Sequence, residues 1–338
     1  RVVCSLTTRS VASMRGALVA SFGGPENILI KDDLTAPEIT APNQVLIDVH
    51  TAGINPVDTY IRSGVYANLP ELPYIPGRDG CGVVREVGSD VDHVKAGDRV
   101  WFLSDNGITA ETTVVTTVFP LPDALSFIEG ACLGVPYLTA HRALFTRGNL
   151  KQSDRVLIHG ASGGVGLAAC QMARAFGATL VVGSAGTKEG EEAVARNGAH
   201  HTVCHRDAKY VDELKKMAPG GFDIIIEMLA NANLATDFDL LARGGRVGIV
   251  GNRGEITINP RALMQKESSA YGVMLGGATA DELSSCSSML SSLFTSASSS
   301  FRPVCSKVYS LEEFPQSHRD IMDPAMAAVG NRVVQVRK

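Results

Sequence analysis

Arg155-Val156-Leu157-Ile158-His159, then Gly160-Ala161-Ser162-Gly163-Gly164-Val165-Gly166, then Leu167-Ala168-Ala169: this stretch decides the fold. The short apolar run over 155–159 predicts a strand, and the glycines predict a tight turn. From there Val165, Ala168, Ala169, Met172 and Ala173 fall on one stripe at helical spacing, which predicts a helix over 165–176. A helix that opens on such a turn points its free N–H groups back at it. Those groups and the helix dipole together stabilise a pyrophosphate. Glycine is required because a Cβ would hold the anion away from the backbone. The glycines at 160, 163 and 166 make G-x-x-G-x-x-G, one residue off the strict dinucleotide spacing, with a further glycine at 164. The strand–turn–helix setting nevertheless supports dinucleotide binding, and the absence of a following Gly-Lys-Ser/Thr excludes a Walker A loop.

Downstream the rhythm continues. Strands are predicted over 179–182, 222–227 and 245–250, and helices over 191–197 and 234–241. Alternating strands and helices, with apolar strands such as Ile224-Ile225-Ile226, predict a parallel sheet covered on both faces. Upstream, a helix is predicted over 137–144 and a polar connector over 150–154. Before that the texture is β: short Val- and Ile-rich runs at 14–21, 44–50, 81–87 and 99–103 are separated by Gly, Pro, Asn and Asp. The helical period is nearly absent there. Residues 281–301 are Ser-rich, yet Leu283, Cys286, Met289, Leu290, Leu293 and Phe294 keep helical spacing, so an amphipathic helix with a serine face is expected. A last β-like run covers 333–336.

The 338 residues suffice for two domains. A hydrophobic content of 45% with 20% charged residues fits a globular protein, and a net charge of −4 argues against a generally basic nucleic-acid binder. No apolar run reaches the roughly 18 residues of a membrane span. The seven cysteines are an odd number and far apart, with no C-x-x-C, which reads as reduced thiols in an intracellular protein. The lead carries Arg1, Arg9 and Arg15 and no acid before Glu26. It reads either as a mitochondrial transit peptide or as an extension ahead of a true start at Met14.

The strand after the turn separates two cofactors. An NAD-binding site places Asp or Glu roughly 20 residues past the glycines, on the ribose hydroxyl. Here that position falls in Gly183-Ser184-Ala185-Gly186-Thr187-Lys188, with no acid at the strand end. Ser184, Thr187 and Lys188 suit a 2′-phosphate instead, which favours NADPH. His50, His93, His141, Cys81 and Cys132 form no closely spaced zinc set, so no metal is expected. Hydride transfer without a Lewis acid favours a conjugated acceptor, which spreads the incoming charge over its own π system.

Several segments carry a resemblance. They are 53–64 (Gly53-Ile54-Asn55-Pro56-Val57-Asp58-Thr59-Tyr60-Ile61-Arg62-Ser63-Gly64), Leu72-Pro73-Tyr74-Ile75-Pro76-Gly77, the turn with its helix through Gln171, Asn197-Gly198-Ala199-His200, and 223–231 (Asp223-Ile224-Ile225-Ile226-Glu227-Met228-Leu229-Ala230-Asn231). In this order they resemble the zeta-crystallin-type NADPH:quinone oxidoreductases, in the zinc-free branch of the medium-chain dehydrogenase/reductases. The resemblance runs from about Met14 to Lys338.

It implies an α/β protein of two parts. A GroES-like, β-rich catalytic domain would comprise residues 14–139 and 304–338, and a Rossmann domain with a doubly wound parallel sheet residues 140–303, behind an N-terminal extension of residues 1–13. It implies NADPH contacts at Tyr60, at Ser162, Gly163, Gly164 and Val165, at Gly186, His205 and Asn233, and along Val250, Gly251, Asn252 and Arg253, with Lys188 at the 2′-phosphate. Asn55 and Tyr60 would orient the acceptor, a quinone and especially an ortho-quinone. Asn55 would stand where zinc-dependent cousins carry a ligating Cys. The resemblance also implies a homodimer or homotetramer and a cytoplasmic location, mitochondrial if residues 1–13 belong to a transit peptide. An enone or alkenal reductase, or an AU-rich RNA-binding role, are the alternatives. The chain departs from the family at Gly107-Ile108-Thr109-Ala110-Glu111-Thr112, where relatives carry tyrosine in place of both threonines.

Overall fold

The computed structural model describes residues 12–105, 107–295, 301–323, 326 and 329–337. Expectations for the first eleven residues, including most of the 1–13 extension and the transit-peptide reading, lie outside the described residues. The chain divides into two compact units: Arg1–Pro120 with Tyr309–Met322 and Val334–Lys338, and Leu121–Val308 with Asp323–Val333.

The first unit is β-rich, as its sequence texture predicts. Strands β1 (Ser13–Val19) and β2 (Ile28–Thr35) form an antiparallel pair. Then follow β3 (Val45–Ile54), helix α1 (Pro56–Ser63), β4 (Asp79–Val87), β5 (Arg99–Leu103), β6 (Thr112–Val115) and β7 (Thr117–Pro120). Val45, Ile47, Val49 and Ala52 of β3 enter one core with Val84, Val100, Phe102 and Val118. Helix α1 departs from the expectation that this part lacks helices. It has eight residues, too few to display an apolar period, but its start was legible. Pro56 sits at the first helical position, and the Asn55 N–H donates to the Asp58 carboxylate at 2.8 Å.

The second unit begins with α2 (Phe127–Gly130) and α3 (Gly134–His141). A π-helical stretch, Arg142–Arg147, continues α3, so the helix expected over 137–144 starts earlier and then widens. The sheet elements follow: β8 (Arg155–Ile158), α4 (Gly164–Phe176), β9 (Leu180–Ala185), α5 (Lys188–Arg196), β10 (His201–Cys204), α6 (Tyr210–Met217), β11 (Phe222–Glu227), α7 (Ala230–Leu240), β12 (Leu241–Ile249), α8 (Arg261–Lys266) and β13 (Ser269–Gly272). The six strands lie in the order β10-β9-β8-β11-β12-β13, with every pairing parallel. Counted from β8, this is the doubly wound order 3-2-1-4-5-6, whose direction of winding reverses between β8 and β11. Ligands bind such sheets at the carboxyl ends of the strands beside that reversal. The strand expected over 155–159 and the helix over 165–176 match to within a residue; β10, α6, α8 and β13 were not anticipated.

The serine-rich stretch is helix α9 (Ala280–Thr295), with Cys286, Leu290 and Phe294 buried and the serines largely outward. Its Phe294 packs edge-on against Tyr137 with ring centroids 5.6 Å apart. After it come β14 (Cys305–Ser310), α10 (Phe314–Asp320) and β15 (Asn331–Gln335). Strand β15 enters a seven-stranded sheet in the order β14-β15-β3-β4-β5-β7, and β6 also pairs with β3. Among the described residues no helix is long and apolar enough to cross a membrane.

A glycine in the first turn of α4 gives a direct check. A Cβ on Gly166 would lie 2.5 Å from the Ala161 Cα and 2.6 Å from the Gly160 carbonyl oxygen, both backbone atoms unable to yield. Gly166→Ala is expected to cost about 1–3 kcal/mol through overpacking. Gly272, on the outer strand, has nothing within 4 Å of its Cβ position, so Gly272→Ala should stay within about 0.5 kcal/mol of wild type. Thermal unfolding of the two variants reads the difference.

Candidate active site

The turn between β8 and α4 is built by its glycines. Gly160 takes φ 56°, a left-handed conformation that reverses the chain directly after β8. Gly163 is the N-cap of α4 in extended backbone, and no side chain caps the helix. The first turn of α4 also holds no acidic residue. Two other helices do carry side-chain caps, the Ser126–Glu129 capping box on α2 and the Thr187 hydroxyl that accepts the Gly190 N–H at 3.1 Å on α5, while α3, α6, α7 and α8 do not. The mouth of α4 therefore keeps its N–H donors and its partial positive charge for another group. The nearest atom to a Cβ built on Gly163 is the Gly160 carbonyl oxygen at 3.5 Å, so the mouth is also open in space. Behind the turn the packing is tight. The Gly330 N–H donates to the Ser162 carbonyl at 2.7 Å, and a Cβ on Gly164 would run into the Asn331 side chain.

The carboxyl end of β9 lies next to this turn in the sheet. Ser184 does not face outward as a phosphate donor, contrary to expectation: it is fully buried, with its Oγ 3.2 Å from His159 Nδ1. Thr187 spends its hydroxyl oxygen as the cap of α5, and Lys188 stands exposed at the first position of that helix. Gly186 lies beside two residues that follow β10. Its Cβ position is 2.9 Å from His205 Nε2 and 3.2 Å from Arg206 Nε. Burial and the neighbouring His159 and Arg206 charges hold His205 below its ordinary value. Arg206 was not among the expected site residues. It follows β10, which was not anticipated, and only the β9–β10 pairing brings it here.

Behind the turn lies a buried charge cluster that the sequence reading also passed over. His159 Nε2 is 2.9 Å from Asp237 Oδ1 and 3.8 Å from Glu227 Oε2, and all three side chains are nearly or wholly buried. Among the described residues it is the one set of His, Cys, Asp and Glu donors with metal-binding proximity. Within it His159 bonds Asp237 Oδ1 and Glu227 Oε1 accepts from N–H groups of its own loop, while Glu227 Oε2 and Asp237 Oδ2 are buried with no hydrogen-bond partner among the described residues. Burial pushes the Glu227 carboxyl up, Asp237 adding to the effect against the opposing pull of His159. Burial opposes charge on His159, but the hydrogen bond and charge of Asp237, with the charge of Glu227, hold it above its ordinary value.

Glu227 also organises the loops on its side of the turn. Its Oε1 accepts from the Leu229 N–H and, at 3.1 Å, from Asn233 Nδ2. Its carbonyl accepts from the N–H groups of Val250 at 2.9 Å and Gly251 at 3.2 Å. Gly251 must be glycine, because a Cβ would collide with the Met228 carbonyl. The Arg253 N–H donates to Asn231 Oδ1 at 2.9 Å, and Asn252 Nδ2 to the Gly254 carbonyl at 2.8 Å. The predicted residues Ser162 to Val165, Gly186, Lys188, His205, Asn233 and Val250 to Arg253 thus cluster at or just beyond the carboxyl ends of β8 to β12.

Asn55 and Tyr60 belong to the β-rich unit. Asn55 is buried, and its Nδ2 donates to Asp79 Oδ1 at 2.7 Å. Burial, then the nearby Asp79 charge, push the Asp58 carboxyl up to about 7. Tyr60 is half-buried in the last turn of α1, and its carbonyl accepts the Val65 N–H at 3.1 Å. Thr109 and Thr112 are both buried. The Thr112 hydroxyl lies 3.0 Å from Met14 Sδ, so this segment packs inward.

Comparison with known proteins agrees with this architecture. The alcohol dehydrogenase GroES-like domain family matches residues 41–123, and the family described as zinc-binding dehydrogenase matches residues 164–292. The chain is 47% identical to the Homo sapiens quinone oxidoreductase over 313 residues, which is 91% of this chain and 94% of the human one. It is 48% identical to the Sus scrofa quinone oxidoreductase over the same shares. The crystal structure of Escherichia coli quinone oxidoreductase complexed with NADPH superposes with a TM-score of 0.82 at 28% identity, covering 95% of this chain and 99% of that one. With its two matched families, parallel nucleotide-type sheet and near-full-length identity, the chain belongs to the quinone oxidoreductase (zeta-crystallin) family of the medium-chain dehydrogenase/reductases.

Proposed function

We propose that this chain is an NADPH-dependent quinone reductase. The observation that carries the reading is the uncapped mouth of α4, set beside the end of β9, where no carboxylate lies within Gly183–Lys188 and Arg206 approaches Gly186 from beyond β10. The residues fit the cofactor. The Gly163 N–H already donates to the Gly160 carbonyl at 3.1 Å, and the N–H groups that follow it in the first turn of α4 suit a diphosphate. Lys188 and Arg206, with His205 alongside, suit the adenosine 2′-phosphate that distinguishes NADPH from NADH. Asn233 and the Val250–Arg253 loop, both held by the Glu227 and Asn231 contacts, would line the remainder of the nucleotide. Bound there, NADPH supplies the reducing equivalents. Asn55 and Tyr60 would orient the acceptor, Asn55 from a side chain fixed by Asp79 and Tyr60 through its phenol. An ortho-quinone spreads the incoming charge over its own ring and oxygens, so orientation and one or two hydrogen bonds suffice. The exposed outer strand β13 offers a free sheet edge, which supports self-association into a homodimer or homotetramer.

Steady-state kinetics with 9,10-phenanthrenequinone should show a clear preference for NADPH over NADH. Lys188→Ala and Arg206→Ala should each raise KM for NADPH about tenfold, the loss of roughly one charge-assisted contact, and leave the NADH value nearly unchanged. An equal loss with both nucleotides, or none, would remove the 2′-phosphate assignment. Turnover of 1,2-naphthoquinone well above that of an alkenal is expected; the reverse order would make the chain an alkenal reductase.

The buried cluster predicts a pH effect on stability. Glu227 is raised from 4.5 to about 7 and His159 lies above 6.5, so the folded state holds more protons than the unfolded chain from about pH 4.5 to beyond neutrality. Stability contributed by these groups therefore falls as pH rises through that window. Glu227→Gln keeps an oxygen for the Leu229 and Asn233 donors and adds an N–H toward Asp237. The drop in melting temperature between about pH 5 and about pH 8 should be smaller in this variant than in wild type.

A further inference from the structure

Six cysteines lie among the described residues, and two of them meet. Cys132 follows α2, and Cys305 opens β14, far along the chain. The Cys305 sulfur shares a hydrogen bond with the Cys132 thiol and lies within reach of the backbone of Lys307 and Val333. Cys132 Sγ in turn lies 3.3 Å from the Ile128 carbonyl. The two segments are tied independently of the sulfurs. Arg302 Nε donates to Glu129 Oε1 at 2.6 Å, its Nη2 donates to Glu129 Oε2 at 2.9 Å, and the same nitrogen reaches the Ala124 carbonyl. Gln171 Nε2 donates to the Arg302 carbonyl at 2.9 Å. The contact between the thiols is thus held by a framework that would persist without it.

We propose that Cys132 and Cys305 are a redox-active dithiol that closes to an intramolecular disulfide on reaction with a hydroperoxide. Cys305 is the half-buried partner and Cys132 the buried one, so Cys305 is the sulfur a small oxidant meets. The hydrogen bond from Cys132, against the opposing effect of burial, holds the Cys305 thiol below its ordinary value, which favours the nucleophilic thiolate. Its sulfur attacks a peroxide oxygen and the O–O bond breaks. With hydrogen peroxide this gives Cys305 sulfenic acid and, after proton uptake, one water. The Cys132 sulfur then attacks the Cys305 sulfur, the S–O bond breaks, and a second water leaves with the thiol proton as the S–S bond forms. In sum two thiols lose two electrons and two protons, and one hydrogen peroxide becomes two waters. Quinols generate hydrogen peroxide on contact with dioxygen, so a quinone reductase would meet this oxidant, although the dithiol chemistry does not depend on that activity.

The other described cysteines differ. Burial pushes the thiols of Cys81, Cys170 and Cys286 up, the second to about 12, and all three are inaccessible. Cys204 is half-buried and has no cysteine partner among the contacts described. The dithiol also sits beside the phosphate turn: the residue before Cys305 accepts the Asn331 N–H at 2.7 Å, and Gly330 is bonded to Ser162.

The test is thiol alkylation and peptide mass mapping of the full-length protein, before and after a small excess of hydrogen peroxide. The expected result is loss of two of the seven thiols, a single cross-link between the Cys132 and Cys305 peptides, and recovery of both thiols with a dithiol reductant. Cys305→Ser should abolish the loss. Cys132→Ser should leave Cys305 as a sulfenic acid trappable by dimedone. Seven thiols remaining after peroxide, oxidation confined to Cys4 or Cys204, or a cross-link elsewhere would overturn the proposal.

Discussion

The amino end of helix α4 is the feature on which the rest of the nucleotide unit depends. A helix start leaves N–H groups without intrahelical partners, and proteins usually satisfy them with a Ser, Thr, Asp or Asn side chain. Here Gly163 stands at that position with no capping side chain, and no acid follows in the first turn. The arrangement forgoes about a few tenths of a kcal/mol of helix stabilisation, the usual difference between glycine and a capping side chain at this position. The unit recovers it in packing: Gly166 lets α4 press against Ala161, and Gly330 bonds the turn from behind. A site that holds a diphosphate needs this combination of unspent donors in front and a rigid support behind.

The support has an electrostatic layer. His159, the last residue before the turn, faces Asp237 and Glu227 in a cluster closed to solvent, and Glu227 reaches on to Leu229, Asn233 and the backbone of the Val250–Gly251 corner. Three carboxyl-end loops thereby meet at a single residue, through its carboxylate and its own backbone carbonyl. Buried charge of this kind contributes little net stability, and its value lies in specifying one arrangement of the loops. In the β-rich unit, Asn55 has a comparable place: its amide is held by Asp79 while its own N–H binds Asp58.

Much of this was legible from the chain. The strand into 155–159, the glycine turn and the helix after it carry strong and mutually consistent signals, and the parallel order of β8, β9, β11 and β12 follows from their continuous apolar runs. The amphipathic spacing within 281–295 outweighed its serine content, because burial follows the face and not the average. Other features were hidden for definite reasons. Helix α1 has too few residues to show a period, although Asn55, Pro56 and Asp58 spell a helix start. Ser184 looked like a phosphate donor by position along the chain; strand alternation turns it inward toward His159. Arg206, Asp237 and the Cys132–Cys305 contact depend on residues far apart in sequence, and no local pattern reports such meetings.

The most direct test of the open helix mouth is to close it. Gly163 has extended backbone and room for a side chain, so Gly163→Asp places a carboxylate where a helix cap belongs. The account predicts an unchanged or raised melting temperature, because the helix gains its cap, together with loss of NADPH binding by about a hundredfold or more in calorimetric titration, because the carboxylate occupies and repels the diphosphate position. A variant that folds as well as wild type and binds NADPH with undiminished affinity would contradict it.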